Sequence, residues 1–350
     1  MLHLKLQLEP LTPPVQASQK SRHFSVTHQP FIHLPAVNES CATHYQHNLN
    51  KPVMNVAAEQ SSLLQQTSEF SNPAQSDLHK TIVILGATRG IGKGLANEFL
   101  KMNHNVMITG QTPKSVQGAL TELSRDPIQA ADNLKGATCD LNNLAHIQSV
   151  WDNAYDSFGR VDYWITCAGI SQPMTNPDDR LKRLVDMQPE SYKEVIDVNL
   201  IGAMNSAKVA IPAMEAQGQG HFYLFEGFGS DGTIRSGLTP YGTSKVGVEY
   251  LTKALAQEAQ ESNSPVKVGS LSPGIVNTHL LKAPYVNNPA AWEKDKKIYN
   301  ILADEVEPVA AFLAQAVLKN TTNGKSIQWL TPLKAISRFL TAPFIKRNDF

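Results

Sequence analysis

The chain has 350 residues, 41% of them hydrophobic, which is more than one ordinary domain and enough apolar material for a sizeable core. Lys plus Arg and Asp plus Glu both number 31, so net charge is zero and the basic excess that phosphate contacts demand of a nucleic-acid binder is absent. Three widely spaced cysteines, Cys41, Cys139 and Cys167, support neither a disulfide framework nor a zinc site and fit a reducing compartment, and no stretch approaches the roughly 20 apolar residues of a membrane span.

Residues 1–79 are rich in Gln, His, Ser, Asn and Pro, with Pro10, Pro13, Pro14, Pro30, Pro35, Pro52 and Pro73 interrupting any long element. They read as a disordered extension. Acids are few before Glu39, which leaves a targeting role open, whereas the scarcity of Arg argues against a transit peptide. The expected location is therefore cytoplasmic, with organelle targeting through the extension as the alternative. At Lys80 the pattern changes. Strands are predicted at Thr81–Leu85, Asn105–Thr109, Gly136–Cys139, Val161–Thr166, His221–Phe225, Val266–Leu271 and Ser326–Leu330. Helices are predicted between them, over Gly90–Met102, Pro113–Arg125, Leu144–Phe158, Ser191–Gln217 and Thr239–Ser262. Repeated β–α alternation with apolar strands calls for an α/β domain over 80–330: a Rossmann-type, doubly wound parallel sheet of about seven strands, with helices on both faces.

The segment Gly86-Ala-Thr88-Arg89-Gly90-Ile91-Gly92 joins the first strand to the first helix. Gly86 permits the sharp turn, Gly90 lets backbone approach a pyrophosphate, and Gly92 lets helix and sheet pack closely; the free N–H groups of the helix start favour an anion. This spacing, followed by Cys139-Asp140-Leu141 and Cys167-Ala168-Gly169, resembles the short-chain dehydrogenase/reductase family over roughly residues 80 to 330. The resemblance implies that Asp140, with Leu141 beside it, contacts the adenine and that Ala168 and Gly169 lie against the cofactor. Cys167 stands where the family usually has Asn and reads as a buried small residue. Strand two ends Ile108-Thr109-Gly110-Gln111 without the acid that would pair ribose hydroxyls, and Arg89 offers a guanidinium to a phosphate, so NADP(H) is favoured over NAD(H).

Tyr241-Gly-Thr-Ser-Lys245 opens a helix, with Thr239 as expected N-cap and Pro240 as its first residue. Positions i and i+4 share one face, so Lys245 stands by Tyr241, where a cation favours the phenolate and fits the phenol for proton transfer to a carbonyl. The family resemblance adds that Lys245 bonds the nicotinamide ribose and that Asn199 holds a water in a relay behind it. It also implies that Pro273, Gly274, Ile275 and Thr278 bind the carboxamide. One position departs from the family. The Ser expected about thirteen residues before the Tyr falls at Phe228 by counting, or at Gly227 by alignment on the strand. Ser230 reaching back, Glu226, a backbone N–H or a water are the substitutes. The run Gly220–Gly232, with Val106–Gly110 and Ser272–Leu281, is similar to the chlorophyll b reductase subgroup.

These readings make the chain an NADPH-dependent oxidoreductase of a small-molecule carbonyl or alcohol, with Tyr241 as general acid/base. The competing readings are a catalytically weak NADP(H)-binding sensor or scaffold, and a reductase of another lipophilic or fatty-acyl carbonyl. The substrate segments, Ser171–Gln188 and Thr278–Leu302, carry no decodable motif. No metal is expected, and family resemblance implies a homo-oligomer. In residues 331–350, Leu333, Ile336, Phe339 and Leu340 fall at helical spacing among Lys334, Arg338, Lys346 and Arg347. Weak peripheral membrane contact is one reading of that segment; packing of the stripe on the domain or on a second subunit is the other.

Overall fold

The computed structural model describes residues 79–124, 130–345, 347 and 350; the expectations for the N-terminal extension up to residue 78, for Arg125 and for Lys346 lie outside the described residues. In chain order the elements are β1 (Thr81–Leu85), α1 (Gly90–Lys101), β2 (Asn105–Gly110), α2 (Pro113–Leu123), β3 (Leu134–Thr138), α3 (Leu144–Phe158) and β4 (Tyr163–Thr166). There follow α4 (Pro189–Ile196), α5 (Gly202–Gln217), β5 (Gly220–Phe225), α6 (Thr239–Glu261), β6 (Val266–Ser272), α7 (Pro289–Leu302), α8 (Val306–Lys319), β7 (Lys325–Gln328) and α9 (Pro332–Thr341). The seven strands form one sheet in the order β3-β2-β1-β4-β5-β6-β7, each adjacent pair parallel. The order reverses between β1 and β4. At that point the loops leave to opposite faces, and a crevice opens at the carboxyl ends of the strands.

The strands are apolar on both sides because both faces are covered. Ile82, Ile84, Val106, Ile108, Ile165 and Tyr223 meet Leu95 and Phe99 of α1 and Leu313 and Val317 of α8. Val83, Leu85, Met107, Trp164, Phe222 and Leu224 meet Ile147 and Trp151 of α3, Met214 of α5 and Val248 of α6. Local signals set the helix ends. Thr112 and Ser115 form a capping box at α2, Asn143 accepts from Ala145 and His146 at the start of α3, and Gly159 at φ 76° ends that helix.

Three sequence expectations need correction. The single helix foreseen over Ser191–Gln217 is α4 and α5 joined through a π turn at Asp197–Ile201, where the Gly202 N–H reaches the Asp197 carbonyl. Apolar periodicity does not register one inserted residue in a helix that otherwise runs on. Thr239 is the first residue of α6, and Leu238 is its N-cap, with no side-chain bond. Strand β3 starts two residues earlier than foreseen, because Val106 pairs with Leu134. Among the described residues, no helix is long and apolar enough to cross a membrane.

Candidate active site

The loop between β1 and α1 is built tightly enough to exclude side chains. Gly86 has φ +87°, and a Cβ there would come to 2.6 Å of Ala168 Cα; a Cβ at Gly92 would overlap the Gly86 carbonyl oxygen. At Gly90 a Cβ would make ordinary van der Waals contact with the Thr278 methyl at 3.4 Å, so it is the left-handed backbone at φ +55° rather than crowding that favours glycine there. The loop is pinned to β2, with Gly86 N–H donating to Thr109 Oγ1 at 3.1 Å and Ala87 N–H to the Thr109 carbonyl at 2.9 Å. Thr88 lies against Gly110. Ile91 is buried in the core below, whereas Arg89 is exposed at the N-cap of α1. His279 across the crevice is held below its ordinary pKa by burial and by the charges of Arg89 and Arg180. These glycines form a cradle that suits a dinucleotide pyrophosphate.

The other predicted cofactor neighbours ring this crevice. Asp140 is exposed, and its Oδ1 accepts from Asn142 N–H at 3.0 Å. Leu141 is buried, with its carbonyl taken by Asn205 Nδ2 at 2.9 Å. A Cβ at Gly169 would sit 3.1 Å from Asn199 Oδ1 and 3.8 Å from Lys245 Nζ, so only glycine leaves these two groups unobstructed. Gly274 has φ +71°, and a Cβ there would overlap Leu330. Pro273 is partly buried, Ile275 packs towards Tyr285 and Tyr299, and Thr278 Oγ1 is 3.4 Å from the Val276 carbonyl. Cys167 beside Ala168 has its thiol pushed up to about 12 by burial, which leaves it protonated and unreactive at neutral pH.

Asn199 is 2% exposed, and three hydrogen bonds tie its amide to its surroundings. Its Oδ1 accepts from Ile170 N–H at 2.8 Å, and its Nδ2 donates to the Ile170 carbonyl at 2.9 Å and to Ser244 Oγ at 3.0 Å. Ser244 donates on to the Tyr241 carbonyl at 2.7 Å. The π turn, the loop after β4 and the first turns of α6 are thereby locked together. Sequence reasoning missed Ser244, although it stands inside the Tyr241–Lys245 motif and a buried helical hydroxyl needs a partner. Lys245 Nζ donates to the Phe225 carbonyl at 2.9 Å and lies 5.9 Å from the Tyr241 ring centroid. Burial holds Lys245 down to about 8, partly offset by Cys167 and Glu226. The same burial pushes the Tyr241 phenol above its ordinary value. In the protein alone, desolvation therefore outweighs the cation that was expected to lower the phenol.

The position of the missing serine is Gly227. A Cβ there would overlap the Tyr241 hydroxyl oxygen and come to 3.1 Å of Lys245 Cε. Neither proposed substitute stands in that space. The Glu226 carboxylate accepts from Ser270 on β6 and, at 2.7 Å, from Ser326 on β7, so it faces the neighbouring strands. Ser230 does reach back, but onto backbone: Oγ accepts from Gly227 N–H at 3.0 Å and donates to the Lys245 carbonyl at 3.3 Å. Phe228 points outward and is exposed.

The two substrate segments are laced to the catalytic frame by groups that carry no motif. Gln172 donates to the Gly237 carbonyl at 3.0 Å and accepts from Leu181 N–H at 3.1 Å, and Ser171 donates to the Leu280 carbonyl at 2.9 Å. Buried Asp179 gathers Ser191, Gln188, Lys182 and Asn176. Tyr285 bonds Tyr299 at 2.6 Å and Asp295 at 2.9 Å, and Arg235 joins both Tyr299 and Asp295.

A parallel sheet with a glycine cradle at its switch point and a buried Tyr–Lys pair beside it defines a dinucleotide-dependent oxidoreductase of Rossmann type. The family model described as short chain dehydrogenase matches residues 80–287, and the chain belongs to the short-chain dehydrogenase/reductase family, nicotinamide-dependent enzymes acting on carbonyl and alcohol groups. It is 34% identical over 266 residues to chlorophyll(ide) b reductase NOL, chloroplastic, of Oryza sativa subsp. japonica, a match covering 74% of each chain. It is 28% identical to a probable chlorophyll(ide) b reductase, chloroplastic, of the same organism, covering 75% of this chain and 52% of that one. The solved structure of ElxO with NADP bound has a TM-score of 0.60 at 21% identity, covering 71% of this chain and 96% of that one, a likeness of fold.

Proposed function

We propose that the protein is an NADPH-dependent reductase in which Tyr241 delivers the proton to a substrate carbonyl of the chlorophyll(ide) b type. The observation that carries the reading is Tyr241 itself. Its ring is buried, while its hydroxyl makes no hydrogen bond among the described residues, with Lys245 one turn along α6 and the side-chain-free Gly227 against that hydroxyl. Among the described residues the fully buried side-chain polar atom without a partner is Arg160 Nε, so the unpartnered Tyr241 hydroxyl is not sealed from the crevice and a substrate carbonyl can reach it. Bound NADPH supplies the hydride. Gly86, Gly90 and Gly92 would let the backbone close on its pyrophosphate, with Thr88, Ile91, Ala168 and Gly169 beside it. Arg89, exposed and without an ion pair among the described residues, would meet a 2′-phosphate, while Asp140 and Leu141 would border the adenine. Pro273–Thr278 would orient the carboxamide. Lys245, held by the Phe225 carbonyl, keeps protons free for the ribose, and Asn199 with Ser244 fixes the helix that presents Tyr241.

The substrate reading rests on the rice relatives' names and on their similarity across three quarters of this chain. Their chloroplastic designation supports the organelle alternative over the cytoplasmic expectation. NADPH oxidation followed with chlorophyll(ide) b and with a panel of simpler carbonyls tests the proposal. Tyr241→Phe should lower kcat by about 10²–10⁴-fold with NADPH affinity preserved, because only the hydroxyl is lost. A variant that turns over at the parent rate would show that the proton comes from elsewhere. NADPH binding with no turnover of any substrate would favour the sensor reading.

A further inference from the structure

Helix α9 is mounted inside out. Arg338 is 5% exposed and turned into the protein, where it donates to the Leu302 carbonyl at 2.7 Å and pairs with buried Asp304 at 2.7 and 2.9 Å. Asp304 also accepts from Trp329 Nε1 at 2.7 Å and pairs with Arg347. One turn before Arg338, the Lys334 ammonium lies 3.0 Å from the Trp329 ring centroid. The apolar residues of the same helix face outward: Leu333 is 79% exposed, Ile336 57% and Leu340 71%, and beyond the helix Phe344 is 88% exposed. Burial of apolar surface orients most helices the other way round. Here the Asp304 clasp overrides it and holds an apolar ridge against water, and contiguous exposed ridges of this kind mark interaction surfaces.

We infer that this ridge docks the protein on a lipid surface rich in anionic headgroups. Charge selects this occupant. The whole chain is neutral, yet residues 279–350 hold ten Lys or Arg against six Asp or Glu. Among the described residues, Glu293 pairs with Lys296, Asp295 with Arg235, and Asp304 with Arg338 and Arg347. On α7, which packs against α9, Lys294 and Lys297 are exposed and make no ion pair among the described residues. An apolar ridge with unpaired lysines on the adjoining helix matches acyl chains below and phosphates above. A second copy fits worse, because a two-fold contact through this face would bring two lysine-bearing faces together.

The position of the ridge gives the docking a use. Because β7 runs parallel to β6, α9 starts at the carboxyl edge of the sheet, where Trp329 N–H bonds the Ser272 carbonyl at 3.0 Å and Gly274 abuts Leu330. Asp304 N–H in turn bonds the Ile275 carbonyl, and the Asp304 carbonyl accepts from Asn277 N–H. The clasp that sets the ridge thus also holds the segment beside the catalytic crevice. Docking there would let a lipid-dissolved substrate reach the crevice without crossing water, a use that rests on the proposed function, whereas the docking itself does not.

Co-sedimentation of the full chain with phosphatidylcholine vesicles containing about a third phosphatidylglycerol, at low salt, tests the inference. The parent should sediment with the vesicles. The double variant Leu333→Gln, Leu340→Gln should bind about tenfold or more weakly, since it removes two buried side chains from the contact. Lys294→Gln with Lys297→Gln should weaken binding to anionic vesicles severalfold and reduce its salt dependence. Unchanged NADPH affinity and melting temperature in each variant show that the fold is kept. A parent that stays in the supernatant overturns the inference, as does a Gln variant that sediments like the parent. So does a parent dimer on a sizing column that the Gln variant dissociates, which assigns the ridge to a second copy. Sedimentation reads docking without turnover, so failure of the reductase reading leaves its result intact.

Discussion

At the scale of single residues, Gly227 and Tyr241 occupy one another's space. A side chain at 227 cannot enter unless the phenol or Lys245 Cε moves, and both belong to a helix locked by Asn199 and Ser244. Restoring the family's hydroxyl should therefore not restore a family-like site. Gly227→Ser is expected to lower kcat by about tenfold or more by displacing the Tyr241 hydroxyl from its productive position, with NADPH affinity little changed. Faster turnover in this variant would mean that the frame yields and that the substrate oxygen lacks a donor in the parent. Lys245 and Glu226 form a second residue-scale pair. Burial lowers Lys245 to about 8, and the Glu226 charge is among the groups that raise it again. The lysine is a cation below that value and neutral above it, so kcat/KM should fall as pH rises through about 8. Glu226→Gln removes a supporting charge, and the alkaline limb should move to lower pH. A limb that does not move would assign Glu226 only to tying β5 to Ser270 and Ser326.

At the scale of elements, the segment between β4 and α4 is ordered by one buried carboxylate. Asp179 accepts from Ser191 Oγ at 2.6 Å, Gln188 N–H at 2.8 Å, Lys182 Nζ at 2.9 Å and Asn176 Nδ2 at 3.0 Å. The bond from Ser191, then those from Lys182 and Gln188, hold it down from 3.8 to about 2. An acid lowered on folding contributes stability that is fully present above its unfolded value and is lost as pH falls through its folded one. The parent should therefore melt at progressively lower temperature as pH drops from about 4 towards 2, and Asp179→Asn, which carries no charge to lose, should show a smaller drop over that window. At neutral pH the variant should raise the substrate KM more than it lowers kcat, because the loop lines the crevice without supplying the reacting groups. Parallel pH profiles for parent and variant would remove Asp179 from this role.

At the scale of the whole molecule, cofactor and fold are linked by mass action. A ligand that binds only the folded chain adds about 2.7 kcal/mol at a hundredfold excess over its Kd. NADPH should therefore raise the melting temperature more than NADH at equal concentration, and Arg89→Ala should narrow the difference. Equal shifts in the parent would refute the NADP(H) preference drawn from Arg89 and the acid-free end of β2. The sheet, its doubly wound order and the glycine loop were legible in the sequence because continuous apolar runs, β–α alternation and glycine spacing are local signals. Tyr241 and Lys245 were legible for the same reason, since four residues of helix bring them to one face. What the tertiary structure alone decided is non-local. The π turn inserts one residue that no periodicity records, and it places Asn199 on Ile170 and Ser244. The carboxylate of Glu226 was free to turn either way from the strand end, and the serines on β6 and β7 chose its direction. The stripe of α9 read first as a face packing on the domain or on a second subunit, with membrane docking as the alternative. A single buried ion pair to Asp304, 34 residues earlier in the chain, turned it outward, and no pattern within the helix itself could have settled that.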